Sequence, residues 1–189
     1  MKKYLIISVI LGLAACSPLP EGYGLDNPGQ YSRVYLAAAY NGVKEFSLEA
    51  PEAAKIEVYA NYSGVVPLSS DLAVSLGADL SLVIPYNSEN GTSFKPLPEK
   101  CFSLESAESV IRAGDSTANV PAVISIITSA FDDGESYLLP VKILSLSDSS
   151  IALNEALDKI YLAINCKAGT LYISANPLTD YTISNTENW

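Results

Sequence analysis

Residues 55–62, which read KIEVYANY, alternate between two kinds of side chain. Ile56, Val58, Ala60 and Tyr62 fall on one side of an extended chain, because successive side chains of a strand point to opposite faces. An amphipathic helix would instead repeat its apolar positions every three or four residues. The stretch therefore predicts a β-strand with one face turned towards a core.

The same two-residue period recurs along the chain, with turn residues between the runs. Apolar alternation marks residues 72–76, 120–127, 137–143 and 160–164. The run 120–127 is apolar enough to be buried on both faces. Turn signals, among them Asn-Gly pairs typical of hairpins, occur at residues 41–42, 90–91, 113–115, 132–134 and 168–169. With short helical turns expected only at 81–88 and 150–157, about eight to ten strands predict an all-β, immunoglobulin-like antiparallel β-sandwich.

Composition narrows the classes of function. The chain has 189 residues, of which 49% are hydrophobic, enough for one domain with its own core. Its net charge of -10 disfavours nucleic acid as a partner, since a phosphate backbone requires a basic surface. The sequence has no histidine and three cysteines, which excludes Ser-His-Asp catalysis, histidine-liganded zinc and four-cysteine zinc sites. We expect no metal and no cofactor.

The N-terminus has the pattern of a secretion signal. Lys2 and Lys3 precede an apolar run over residues 4–15 that is too short to span a bilayer, and the run ends in Leu-Ala-Ala before Cys16. This pattern resembles the bacterial lipobox. The resemblance implies that residues 1–15 are a lipoprotein signal peptide, and that Cys16 is lipidated and holds the chain to a membrane through acyl chains such as palmitate. Loss of two lysines leaves 9 basic against 21 acidic residues, a net charge of -12.

The remaining chain divides into three parts. Residues 16–29 contain three prolines and three glycines, which predicts a flexible tether. Residues 30–166 form the predicted β-sandwich domain, and residues 167–189 a C-terminal strand and tail. We expect an outer-membrane lipoprotein that faces either the periplasm or the cell surface.

Five segments resemble, in the same order, the Bacteroidetes family described as domain of unknown function 1735. They are RVYLA at 33–37, LVIPYN at 82–87, LPEKCFSL at 97–104, IRAG at 111–114 and GESYLLPVKI at 134–143. The resemblance implies an N-terminal β-sandwich of secreted lipoproteins, which often precedes glycan-related modules such as family-18 glycoside hydrolases. The resemblance also implies glycans or outer-membrane importer proteins as partners. This implication rests on the modules and uptake systems with which such domains occur, and not on an identified binding site.

The acidic residues do not form a catalytic or metal motif. Asp132, Asp133 and Glu135 carry oxygens of the kind that calcium binds, but a glycine-containing turn favours Asp in any case. Four more carboxylates could serve glycosidic acid–base chemistry, and their spacing sets no geometry: Asp71, Asp79, Glu89 and Glu105. No Gly-x-Ser-x-Gly elbow is present. We therefore expect a protein without enzymatic activity.

Aromatic side chains are the stronger lead to a binding site. The sequence has 12 tyrosines, and sugar-binding surfaces present aromatic faces. Strand alternation favours outward positions for four tyrosines, which we predict as a glycan-contact platform: Tyr40, Tyr59, Tyr161 and Tyr172.

The two cysteines that remain after Cys16 leave one question open. Alternation places Phe102 and Leu104 inward and Cys101 outward, whereas Cys166 shares the parity of inward residues. The cell envelope permits a disulfide, and the opposite orientations disfavour one, so their pairing stays undecided.

The tripeptide Asp115-Ser116-Thr117 resembles the O-glycosylation signal of Bacteroidetes. It follows Gly114 in a predicted loop, where Ser116 would be accessible.

Two hypotheses of function follow. The first is a non-catalytic cell-envelope lipoprotein that binds glycans or assists a glycan-uptake system. The alternative is a structural adhesin or fimbria-like interaction protein, which would associate by strand addition at sheet edges.

Overall fold

A computed structural model describes residues 26–41, 43, 45–48, 53–127, 135–167, 170–174 and 183–184. Residues 41, 45–48, 53, 165–167, 170–174 and 183–184 are described by their backbone alone. The predicted signal peptide, Cys16, most of the predicted tether and the acidic pair at 132–133 lie outside this description.

Strands make up most of the described chain. They are β1 (Arg33–Tyr35), β2 (Glu45–Leu48), β3 (Ala53–Val58), β4 (Asn61–Ser63), β5 (Leu72–Ala78), β6 (Lys95–Pro96), β7 (Phe102–Ser106), β8 (Glu108–Ile111), β9 (Ala122–Ile127), β10 (Ser136–Leu146), β11 (Ala152–Leu153), β12 (Lys159–Lys167), β13 (Thr170–Ser174) and β14 (Ile183–Ser184). One α-helix, α1 (Val83–Asn90), and four short 3-10 helices lie among these residues: Pro28–Tyr31, Ala37–Asn41, Leu80–Leu82 and Glu99–Cys101.

The strands form three sheets. The largest has the order β2-β13-β12-β10-β5-β8, with β6 pairing beside β10; the second is β14-β3-β9-β7 and the third β11-β1-β4. Neighbours are antiparallel except for β1 with β11 and β10 with β6. The predicted all-β sandwich is confirmed.

One apolar core joins the sheets. Alternating residues of β3, β5, β9, β10 and β12 point into it, and because each strand contributes every second side chain, the core is continuous between the sheets. The largest fully buried side chains are Leu36, Ile56, Leu72, Leu76, Leu97, Ile111, Ile124, Ile126, Leu138, Leu139, Leu162 and Ile164.

A smaller apolar cluster lies apart from this core. Val83 of α1 packs there with Leu138 of β10 and Ala163 of β12. Tyr137 and Leu139, the chain neighbours of Leu138, belong to the main core, so Leu138 points to the opposite face of the largest sheet. Helix α1 thus covers part of this outer face.

The stretch that predicts the fold is divided between two sheets. Strand β3 ends at Val58 in the second sheet and β4 begins at Asn61 in the third, although the inward alternation continues through Ala60. The backbone N–H of Ala60 donates to the Ser109 hydroxyl at 3.0 Å, outside both ladders. A single strand over residues 55–62 is therefore wrong, and the chain changes sheet at residues 59–60.

Three further local predictions are corrected. Residues 150–157 contain β11, which pairs with β1, instead of a helical turn. The pair Asn90-Gly91 ends helix α1, where Gly91 has a φ of 64°, and does not form a hairpin turn. Cys101 is fully buried because it lies in a 3-10 turn, to which the alternation of the following strand does not extend. The helical turn at 81–88 and the turn at Gly114, with a φ of 84°, are confirmed.

Candidate functional site

Three aromatic rings meet on the outer face of the largest sheet and form what we call the aromatic cluster: Tyr86, Phe94 and Tyr161. The ring centroids of Tyr86 and Tyr161 are 4.5 Å apart at an interplanar angle of 38°, and those of Tyr86 and Phe94 are 6.2 Å apart at 51°. All three side chains are half-buried and rest on Val83, Leu138 and Ala163. The cluster is thus an apolar surface built on a packed base.

Asn87 fixes the loop that carries Phe94. Its Oδ1 accepts hydrogen bonds from the Thr92 hydroxyl at 2.8 Å and from the Phe94 N–H at 3.0 Å, and its Nδ2 donates to the Phe94 carbonyl at 2.8 Å. Gly91 makes the left-handed turn that returns the chain towards the helix. One side chain therefore holds Phe94 beside Tyr86.

The phenols of the aromatic cluster stay neutral at physiological pH. Burial raises the pKa of Tyr86, and burial also raises the pKa of Tyr161 against an opposing effect of Lys159. Lys159 donates to Asp158 at 2.7 Å, which raises the pKa of the lysine. The rings are uncharged because the pKa of each phenol is raised. The neighbouring Lys159 cation is balanced by Asp158.

The predicted tyrosine platform is only partly brought together. Tyr161 joins the aromatic cluster, whereas Tyr59 packs against the main core and donates to the Glu57 carboxylate at 2.9 Å. Tyr40 is exposed and lies in the 3-10 helix Ala37–Asn41, which contacts β12. Tyr172 pairs through its backbone with Asn165, and its side chain lies outside the described residues.

Sequence reasoning missed Tyr86 and Phe94. Tyr86 stands in the LVIPYN segment that resembles the family, which marks the position without indicating which side chains surround it. Phe94 follows a loop, where strand alternation says nothing about orientation.

A second concave feature, which we call the serine cleft, opens beside the start of β5. It has a volume of about 310 Å³. Its walls come from residues 66–72, from Asp148, Ser150 and Ile151, and from Gly29, Ser32 and Tyr62. Hydroxyl and carboxylate groups line it together with aliphatic side chains, and sequence reasoning did not assign it.

Ser116 lies in an exposed turn, so the predicted accessibility of this residue is confirmed. Its backbone carbonyl accepts a hydrogen bond from the Tyr62 N–H at 2.8 Å. The side-chain hydroxyl takes no part in this bond. Asp115 accepts a bond from Asn119 at 3.0 Å, so the turn is well defined.

Among the described residues, no group of three or more Cys, Asp or Glu side chains could hold a metal ion. Glu135, the described member of the acidic turn, pairs with Lys95 at 2.7 Å. In the same part of the chain, no helix is both long and apolar enough to cross a bilayer.

A family model for an N-terminal domain matches residues 27–150. Six chains of solved structures match as well. One is a proposed carbohydrate-binding protein from Bacteroides ovatus, with 22% identity and a TM-score of 0.53 over 72% of this chain and 37% of that one. Another is EndoBT-3987 from Bacteroides thetaiotaomicron, solved with its Man5GlcNAc product, with 16% identity and a TM-score of 0.50 over 72% of this chain and 31% of that one.

These matches establish a shared fold. The chain spans about a third of the length of the two structures. No curated protein matches the chain.

Proposed function

We propose that this protein, a member of the family of N-terminal domains whose model matches residues 27–150, is a non-catalytic cell-envelope lipoprotein whose β-sandwich binds neutral glycans. This family is the Bacteroidetes family that the sequence motifs resemble. The observation that carries this proposal is the aromatic cluster. A ring face packs well on the C–H face of a sugar, and the contact of Tyr86 with Tyr161 holds both rings in place.

The charges near the cluster favour a neutral ligand over a charged one. Lys159 is paired with Asp158, and Lys95 with Glu135. A ligand held by ring faces makes few ion pairs, so added salt has little to screen. Binding should then depend weakly on ionic strength.

The expected affinity is low for a single site. A ring contact contributes on the order of 1 kcal/mol beyond the area it buries, so one platform gives a dissociation constant on the order of 1 mM. Lipid anchoring through Cys16 compensates, because many copies on one membrane bind a long glycan by avidity. The glycan and, in the cell, an outer-membrane importer are the partners that this proposal names.

The carboxylates weighed for catalysis support a non-catalytic role. Glu105 forms an ion pair with Lys55 at 2.6 Å, and Asp79 lies 3.5 Å from Lys142. Asp71 accepts the backbone N–H of Ala113 at 2.9 Å. Each of these three carboxylates therefore has at least one structural partner.

Calorimetry with neutral oligosaccharides tests the proposal. The protein is the mature chain with Cys16→Ala, titrated at low and at high salt. We expect Tyr161→Ala and Phe94→Ala each to weaken binding about fivefold, the loss of one ring contact. Tyr35→Ala is the matched control, since Tyr35 is a half-buried tyrosine on β1 of another sheet.

Two results would contradict this reading. Binding that disappears at high salt would indicate a charged ligand, and binding unchanged in both ring variants would remove the aromatic cluster as the site. If none of the glycans produces a heat of binding, the structural adhesin is favoured instead. Thermal unfolding of each variant separates lost binding from lost fold.

A further inference from the structure

We propose that the serine cleft is a second binding site, separate from the aromatic cluster, and that it takes a single neutral sugar residue. The two features lie towards opposite ends of β5. The cleft opens at the start of this strand, which Asp71 precedes. The other end, at Ala78, pairs with Val141 of β10. Val141 in turn pairs with Ile160, the chain neighbour of Tyr161. Ala78 follows Asp71 by seven positions along the extended chain, roughly 23 Å at about 3.3 Å per residue.

Hydrogen bonds between loops hold one wall of the cleft in place. The Tyr62 hydroxyl donates its only hydrogen to the Val66 carbonyl at 2.7 Å, so the Ser32 hydroxyl, 2.8 Å away, donates to the Tyr62 oxygen. A methyl group at Gly64 would collide with the Tyr62 hydroxyl and come within 2.7 Å of the Ser32 oxygen, so a larger residue there would displace this hydrogen-bonded pair.

The segment that contributes residues 66–72 to the cleft is also held farther along, at Leu68 and Asp71. Gly114 donates its N–H to the Leu68 carbonyl at 2.9 Å, and Ala113 donates to Asp71 Oδ1 at 2.9 Å. The cleft is therefore formed before any ligand arrives, which lowers the cost of binding.

The polar groups of the cleft suit a sugar. Within the described part of the chain, no residue hydrogen-bonds Asp71 Oδ2 or the hydroxyls of Ser69 and Ser70. Asp148 uses Oδ1 to accept both the Ser150 hydroxyl at 2.7 Å and the Ser150 N–H at 2.9 Å. Carboxylates accept from neighbouring sugar hydroxyls, and serine hydroxyls both donate and accept.

The apolar part of the lining completes the match. Leu68, Leu72 and Ile151 supply aliphatic surface next to the polar groups. A pyranose ring has the same division, with hydroxyls on its rim and C–H groups on its faces. A purely polar ion would gain nothing from these three side chains.

The size of the cleft limits the ligand to one residue. Its volume is about 310 Å³. This is the lower end of the usual range for small-molecule sites. One pyranose fits, and a longer chain would extend into solvent.

The charge of the lining excludes anions. The residues that line the cleft include Asp71 and Asp148 and no lysine or arginine. The Ser150 hydrogen bonds hold the pKa of Asp148 below its usual range, so this carboxylate is charged at neutral pH. A sulfated or phosphorylated sugar would meet repulsion, and a neutral one would not.

The test is a nuclear magnetic resonance titration of the mature chain with Cys16→Ala. The probes are neutral methyl hexosides and methyl N-acetylhexosaminides, added to about 50 mM because a single-residue site binds on the order of 1 mM. We expect at least one probe to shift the backbone amides of Ser69, Ser70 and Ser150, and those of the aromatic cluster to move less.

Matched variants assign the contacts. Asp71→Asn retains the Oδ1 acceptor for Ala113 and removes the charge, so binding should weaken about tenfold while the fold persists. Ser70→Ala should weaken binding severalfold. Asp115→Asn removes an equal charge outside the cleft and should leave binding unchanged.

The outcomes separate this proposal from the aromatic platform. Sugar binding in the cleft that survives Tyr161→Ala supports a second site even if the platform fails its own test. No shift at the cleft with any probe, or equal weakening by Asp71→Asn and Asp115→Asn, overturns it. A response to methylamine that salt abolishes, with none to the sugars, would assign the cleft to cations and also overturn it.

Discussion

Replacing Asn87 with alanine should loosen the aromatic cluster without touching an aromatic residue. The side chain makes three hydrogen bonds, with the Thr92 hydroxyl and with the N–H and carbonyl of Phe94. Each contributes about 1 kcal/mol of net stability, so about 3 kcal/mol is lost. Alanine returns roughly 0.6 kcal/mol through its higher helix propensity. We expect a net loss of about 2 kcal/mol.

Asn90→Ala is the matched control on the same helix. Asn90 donates one exposed hydrogen bond, to the Tyr86 carbonyl at 2.9 Å. The gain in helix propensity offsets most of that single bond, so the expected change is within about 0.5 kcal/mol. The difference between the variants isolates the loop contacts from the change of residue type.

Urea unfolding of both variants measures this difference directly. A loss of about 2 kcal/mol corresponds to a lower Tm by about 4–8 °C for a domain of this size. Asn87→Ala should also weaken oligosaccharide binding if Phe94 contributes a ring face. Equal stability of the two variants would refute the account of how Phe94 is held.

Three further predictions concern the envelope, the acid response and modification. Cys16→Ala should leave a longer precursor that incorporates no labelled palmitate, and unchanged labelling would exclude the lipid anchor. The Ser81 hydroxyl, and then Lys142, hold the pKa of Asp79 below its usual 3.8, so its stabilising contribution is present above that pH and is lost as the pH falls through the lower folded value. Asp79→Asn should therefore reduce the loss of stability between pH 5 and pH 2 in urea unfolding, and an unaltered pH dependence would contradict the lowered pKa of Asp79. In a Bacteroidetes host, Ser116→Ala should remove a glycan mass from the intact protein, and identical masses would count against O-glycosylation there.

The sequence alone predicted the strands in which apolar and polar side chains alternate with a regular two-residue period. Alternation over 72–76, 137–143 and 160–164 predicted β5, β10 and β12, because one buried face leaves a strand little freedom in orientation. It failed where a partner far along the chain decides. Within the predicted helical turn at 150–157, Ala152–Leu153 form β11 because Ala152 pairs with Arg33, more than a hundred residues away.

The same distinction between local sequence and long-range packing applies to the candidate sites. Sequence alone identified Tyr161 as an outward aromatic residue, but it could not place Tyr86 and Phe94 beside it. The helix and loop that carry those two rings dock onto the sheet through Val83 and Leu138. That docking is a property of packed surfaces and leaves no periodic pattern in the chain.

By itself, then, the sequence determined the strand-rich class, the acidic charge, the absence of histidine chemistry and the family motifs. These depend on composition and on side-chain order within a few residues. Only the tertiary structure decided that the chain changes sheet at residues 59–60, that Cys101 is buried and that the serine cleft exists. Each of these depends on which distant segments pack together, since a cleft or a buried turn is formed by walls that lie far apart in the sequence.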